Sequence, residues 1–214
     1  MSDVNAPRQY SSPLREQQAA NTRRAVLSAA AECFLEHGYG ATTIEQVASR
    51  AGVSKPTVFT AVGNKQALLQ AVRDVAIAGD DEPVPIVQRP RTIRVQDEPD
   101  RHKAIRLLAR DFTNVHSRYA PINEVIRGAA AGGEENLRQL WATEEQQRLT
   151  GARHWVKVLV DKAPLRPGLD QATAVDMMWL FMASDNYTRL VHGRGWTKGK
   201  YQRWLAESIE TLFA

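Results

Sequence analysis

Thr42 to Lys65 reads TTIEQVASRAGVSKPTVFTAVGNK. Ile44, Val47, Ala48 and Ala51 repeat with the period of a short amphipathic helix. Thr43 stands one residue before that run and Gln46 three residues after Thr43, the spacing of a capping box. Gly52 breaks the helix, and Ser54 can cap a second one that starts at Lys55 and tolerates Pro56 in its first turn. Two short helices joined by Ala51-Gly52-Val53 have the dimensions of a helix-turn-helix. Ala48 is small enough for a close crossing, and Val53 and Val58 are placed to fill the gap between the helices. The second helix then keeps Ser54, Lys55, Thr57 and Thr60 as an outward polar face. A helix in a major groove presents such residues to base edges and phosphates. Lys55 and Lys65 each open a helix, where a cation is unfavourable without an anion, and this points them toward phosphate.

Upstream, Leu27, Ala30, Ala31, Phe34 and Leu35 predict a helix that starts at Asn21 or Thr22 and ends at Gly38. Residues 1–18, with Pro7, Pro13, Arg8 and Arg15, show no apolar periodicity and read as a flexible arm. Downstream, Lys65 to Ala76 is a fourth helix with Leu68, Leu69, Val72 and Val75 inward. Residues 79–100 contain Pro83, Pro85, Pro90 and Pro99, too many for a helix, and read as a linker. Helices are then predicted over 101–118, 122–131, 134–161, 171–191 and 200–213. No stretch alternates long enough for a convincing strand. The expected fold is all-α with about nine helices. Its parts are an arm (1–18), a three-helix unit with the helix-turn-helix (19–64), a connecting helix with an acidic linker (65–100), and a helical C-terminal domain (101–214).

The chain has 214 residues with net charge +4, split as +2 over 1–75, −3 over 76–100 and +5 over 101–214. No long basic run occurs, so contacts to a polyanion must come from a shaped motif. Cys33 is the only cysteine, which excludes an internal disulfide and any multi-cysteine metal site. Its burial or surface packing is the plain reading, and no metal is expected at Cys33 and His37. No P-loop, GxGxxG or GxSxG motif occurs, so neither an enzyme nor a cofactor is expected. Mean hydropathy is −0.41, no segment is apolar enough to span a membrane, and the N-terminus lacks a signal-peptide core, so a cytoplasmic protein with no membrane partner is expected.

Further residues carry a resemblance. Phe34-Leu35-Glu36-His37-Gly38-Tyr39, then Thr42-Thr43-Ile44, then Ala48 through Phe59, then Asn64-Lys65 resemble the TetR family of bacterial transcriptional regulators over residues 22–75. Leu190 to Trp196 and Tyr201 to Leu205 are similar to one branch of that family. The resemblance implies a homodimer that binds a double-stranded DNA operator through the N-terminal unit and a small-molecule effector through the C-terminal domain. It implies a repressor released by that effector. Arg15, Arg23 and Arg24 would approach DNA from the arm and first helix. Thr42, Thr43, Ser54, Lys55, Pro56, Thr57, Phe59, Thr60 and Lys65 would form the rest of the DNA surface. Many members carry Tyr-x-His-Phe where this chain has Phe59-Thr60-Ala61-Val62, which removes two polar phosphate contacts and leaves Phe59 for sugar or a thymine methyl. Phe112, His116, Tyr119, Trp141, Trp155, Met178 and Met182 would line the effector cavity, as a set that suits an apolar or aromatic ligand. Core packing is the alternative for each. Trp179, Tyr201, Trp204, Leu205 and Leu212 would form the dimer interface. Two rival readings stay open: a DNA binder without an effector, and a helical ligand-binding or adaptor protein with weak or no DNA binding.

Overall fold

The computed structural model describes residues 13–214. Among them it forms ten α-helices and no strand. They divide into two compact units. A head holds the described residues up to His37 together with Ala41–Val72, and a body holds Gly38–Gly40 and Arg73–Ala214.

The head contains α1 (Pro13–Ala41), α2 (Ile44–Ala51), α3 (Lys55–Ala61) and the first part of α4 (Lys65–Ala78). Helix α1 begins at Pro13, well before Asn21, so the end of the expected arm is helical; the rest of that arm, residues 1–12, lies outside the described residues. Proline suits a first helical turn. Asn21 Oδ1 accepts from Gln17 at 3.1 Å and from Arg24 at 2.6 Å, a polar ladder that supports the added turns without apolar periodicity. The buried stripe is Val26, Leu27, Ala29, Ala30, Cys33 and Phe34; Leu35, expected inward, is exposed. Gly38, at φ 74° and ψ 171°, interrupts the helix where glycine alone is unstrained.

Helix α4 crosses the division. Leu68, Leu69 and Val72 are buried on the head's portion. Beyond Arg73 the helix belongs to the body, and Gly79, at φ 97°, ends it.

The body corrects several sequence expectations. The proline-rich linker contains a 3₁₀ turn (Ile86–Gln88) and a helix, α5 (Pro90–Asp97). Pro90 occupies the first turn, where its missing N–H costs nothing, while Thr92 and Val95 are buried. The buried Arg89 guanidinium fixes the approach, donating to Asp80 Oδ2 at 2.7 Å and to the carbonyls of Glu82 and Val84. The two helices expected on either side of Pro121 are one, α6 (Arg101–Ala131). One lost hydrogen bond at Pro121 is outweighed by burial of Phe112, His116, Ala120, Ile122 and Ile126 along one side. Helix α7 spans Glu135–Val160. The helix expected over 171–191 is broken into α8 (Gln171–Phe181), a single turn α9 (Asp185–Tyr187) and a π-helical turn (Thr188–His192). Helix α10 (Lys198–Glu210) closes the fold, with a short bridge between Leu165 and Phe213.

Candidate nucleic-acid interface and the helical body

Local chemistry sets the head's helix-turn-helix. Thr43 Oγ1 accepts from Gln46 N at 3.2 Å, and Gln46 Oε1 accepts from Thr43 N at 2.7 Å, so the capping box is complete. Gly52 takes the left-handed conformation (φ 68°), and Val53 N donates to Ala48 O at 3.0 Å, which closes α2 and turns the chain. Ser54 Oγ accepts from Thr57 N at 3.3 Å and starts α3. Val47, Ala48 and Val58 are buried beneath the two helices.

This leaves Ser54, Lys55, Pro56, Phe59 and Thr60 exposed, with Thr57 partly so. Phe59 is 50% exposed, a large apolar ring turned to solvent. Thr60 Oγ1 donates to Pro56 O at 2.9 Å, and the Ser54 and Thr57 hydroxyls lie 2.8 Å apart. Two expected surface residues sit elsewhere, and a third is paired within its own chain. Thr42 is 1% exposed, its hydroxyl donating to Cys33 O at 3.0 Å, so it ties the loop to α1 and faces inward. Arg23 donates to Ala61 O at 2.9 Å and is thereby spent on the end of α3. Lys55 has an anion of its own chain: Nζ donates to Glu45 Oε1. Glu45 thus supplies part of the anionic charge that the position of Lys55 calls for, a pairing that the sequence spacing does not reveal. The bond holds the Glu45 carboxyl below its usual range. Arg15 and Arg24 are exposed on α1, Thr43 is exposed at its cap, and Lys65 is half-buried behind Asn64, which caps α4 through Ala67 N at 2.9 Å.

In the body, five of the seven expected effector residues share one core. Phe112 stacks on His116 at 6.1 Å and meets Trp155 edge-on at 6.2 Å. His116 Nε2–H donates to Met182 O at 3.1 Å, so Nδ1 is the acceptor for the Tyr201 hydroxyl at 2.9 Å. Met182 is where α8 ends, and the freed carbonyl is what His116 takes. Burial lowers the His116 pKa to about 4, so the ring is neutral. Met178 is buried in the same core. Tyr119 and Trp141 join polar networks instead: Tyr119 donates to Glu144 Oε2 at 2.6 Å, and Trp141 Nε1 to Glu145 Oε1 at 3.1 Å.

Glu144 Oε1 also forms an ion pair with Arg73 Nε at 2.9 Å, and Arg73 donates to Gln147 Oε1 at 2.6 Å. Burial pushes the Glu144 carboxyl up, opposed by Tyr119 and Arg73. The last carbonyls of α4 are held by Arg118 from α6 (Ala76 O, 2.9 Å) and by Arg91 from α5 (Ala78 O, 2.7 Å). Sequence reading missed this clamp; arginine near a helix C-terminus is a signal only once the distant helix is placed beside it. The expected dimer stripe is also revised. Tyr201, Leu205 and Leu212 are fully buried in the chain's own core, and only Trp179 and Trp204 remain partly exposed.

Comparison with known proteins agrees with this architecture. Residues 26–72 match the family described as bacterial regulatory proteins, tetR family. The chain is 27% identical over 163 residues to the uncharacterized HTH-type transcriptional regulator YdeS of Bacillus subtilis (strain 168), covering 74% of each protein. Among solved structures, the transcriptional regulator FadR from Bacillus subtilis in complex with stearoyl-CoA superposes with TM-score 0.67 at 15% identity, over 88% of this chain and 98% of FadR. The fatty acid degradation regulator FadR from Bacillus halodurans gives 0.59 at 14%, over 94% and 96%. Among the described residues no helix is long and apolar enough to cross a membrane. The capped helix-turn-helix thus lies inside a segment that matches the TetR family of bacterial transcriptional regulators, and an all-helical body follows it in sequence.

Proposed function

We propose that the protein is a cytoplasmic, homodimeric repressor that reads an operator through α3 and leaves it when an apolar small molecule enters the body. The observation that carries the DNA reading is the open face of α3, with Lys55, Phe59 and Thr60 exposed on a helix whose other side is pinned by the buried Val58. Arg15, Arg24, Thr43 and Lys65 extend that surface in our reading, whereas Thr42 acts from beneath it. Two heads reading one duplex face require half-sites about 34–36 Å apart.

The effector reading rests on the Phe112, His116, Trp155 and Met182 cluster. It is apolar and aromatic, and the polar atoms of His116 are already engaged, so it favours an apolar group over a charged one. Bacillus subtilis FadR was crystallised with stearoyl-CoA, which makes acyl thioesters a sensible first ligand panel. Helix α6 carries both His116 and Arg118, and Arg118 holds the end of α4. A ligand that shifts α6 therefore acts on the helix that continues into the head. A coupling of about 1–3 kcal/mol suffices, which corresponds to roughly 5–150-fold in operator affinity.

The test is selection of bound sequences from a random duplex pool, followed by titration of the selected duplex with acyl thioesters of increasing chain length. The expected result is an inverted repeat with the half-site spacing above, released by ligand. Linkage also requires that the operator weaken ligand binding by the same factor. Recovery of no preferred sequence would leave the adaptor reading in its place.

A further inference from the structure

Helix α3, Lys55–Ala61, carries one basic residue and no acidic one. That one cation is bonded to a carboxylate of the neighbouring helix. Glu45 lies in the first turn of α2, ten positions before Lys55, and both side chains are about half exposed. A carboxylate near the N-terminus of α2 is favourable for the helix dipole wherever its side chain points. Helix stability alone therefore does not explain why it meets Lys55. On a surface that faces a polyanion, the same carboxylate has two costs. It repels phosphate directly, and it neutralises the only lysine of the reading helix.

Resting on the DNA-binding reading above, we infer that Glu45 is a specificity-determining positioning residue that holds Lys55 on the protein until operator docking presents a phosphate at contact distance. Loose complexes with arbitrary duplex are electrostatic and leave protein cations and phosphates separated by water. A bond already made at contact distance with Glu45 competes well against such a phosphate. When α3 is seated in the groove of its operator, a phosphate is fixed beside Lys55 and water is expelled, so the lysine changes partner. The freed Glu45 is then a repulsive element that a poorly seated complex cannot offset. Discrimination thus comes from weakening the wrong complexes as well as from strengthening the right one.

The inference has a signature that ordinary phosphate contacts lack. Lys55→Ala should lower operator affinity yet change affinity for a random-sequence duplex by less than about twofold, because Lys55 is already neutralised there. Glu45→Gln should strengthen binding to the random duplex and steepen its salt slope by about 0.9, one additional neutralised phosphate. Between 50 and 200 mM salt this corresponds to an advantage that shrinks about threefold. The operator-to-random ratio should fall. Glu45→Asp keeps the charge and should stay near the unmutated ratio.

The experiment measures binding of the full chain, Glu45→Gln, Glu45→Asp, Lys55→Ala and the double variant. Each is titrated with the selected operator and with a random-sequence duplex across that salt range. Support is a gain for Glu45→Gln on the random duplex that disappears in the double variant. A gain that persists without Lys55 overturns the inference, as does a Glu45→Gln variant that binds both duplexes no better than the unmutated chain. An equal loss for Lys55→Ala on both duplexes overturns it as well. If the unmutated chain binds neither duplex, the DNA-binding reading itself falls and takes this inference with it.

Discussion

The head and the body hold their helices in different ways. In the head the decisive bonds are between near neighbours in sequence: Thr43 with Gln46, Ser54 with Thr57, Val53 with Ala48. In the body they join residues far apart: Arg73 with Gln147 across 74 positions, His116 with Tyr201 across 85, and His102 with Glu210 across 108. Local bonds fix a small rigid unit whose outer face is free for recognition. Distant polar bonds tie four or five helices into one polar-studded core, and any event that disturbs one member is felt on several helices. A reading head benefits from the first arrangement and an effector body from the second.

The sharpest way to break this contrast is to remove one partner of a distant pair. Glu144→Ala takes the buried carboxylate from Arg73, whose side chain is 15% exposed and keeps only Asp74 and Gln147, and from the Tyr119 hydroxyl, which keeps only Asn123. The expected cost is about 3–5 kcal/mol. All five tryptophans lie between Trp141 and Trp204, so tryptophan emission during urea unfolding reports the body. An Arg73→Met, Glu144→Leu double variant should recover most of the loss, because no unpaired charge remains.

The next effect is a pH dependence. His116 has an ordinary pKa of 6.5 and is lowered to about 4 in the folded body. The unfolded chain therefore binds more protons between these values. The stabilisation from keeping His116 neutral is complete above pH 6.5 and is lost as pH falls toward 4, by about 3 kcal/mol in all. In His116→Gln, which can donate and accept a hydrogen bond but does not titrate, the urea midpoint should lose less between pH 7 and pH 4.5 than in the unmutated chain. Equal slopes would show that His116 is not the responsible group.

A smaller effect belongs to the head. Thr43→Ala removes one half of the capping box and should cost about 1 kcal/mol. Hydrogen exchange should quicken at the α2 amides, with little movement of the body's tryptophan transition.

The same contrast explains what could be read from sequence. Thr43, Gln46, Gly52 and Ser54 act on backbone a few residues away, so their roles were visible in spacing alone, and so was the helix-turn-helix. Errors arose where a partner lies far along the chain. Pro121 reads as a boundary until the buried side of α6 outweighs it. Met182 reads as mid-helix until His116 is placed to take its carbonyl. Tyr201, Leu205 and Leu212 form an apolar stripe that looks available to a second copy, but a stripe does not say which neighbour covers it, and here it is the chain's own core. In the head, the placement of Thr42 was misjudged and the Glu45 partner of Lys55 was missed for the same reason, since Cys33 O and Glu45 are contacts across helices.

The central claim is that the exposed face of α3 reads base sequence. It is tested most directly by repeating selection from a random duplex pool with Phe59→Ala and Thr60→Ala beside the unmutated chain. Each variant should relax preference at one or two positions in each half-site, at a cost of about 1–3 kcal/mol per lost contact, with the remaining positions and the half-site spacing unchanged. Identical selected sequences and affinities for all three proteins would contradict the assignment of α3 as the reading helix.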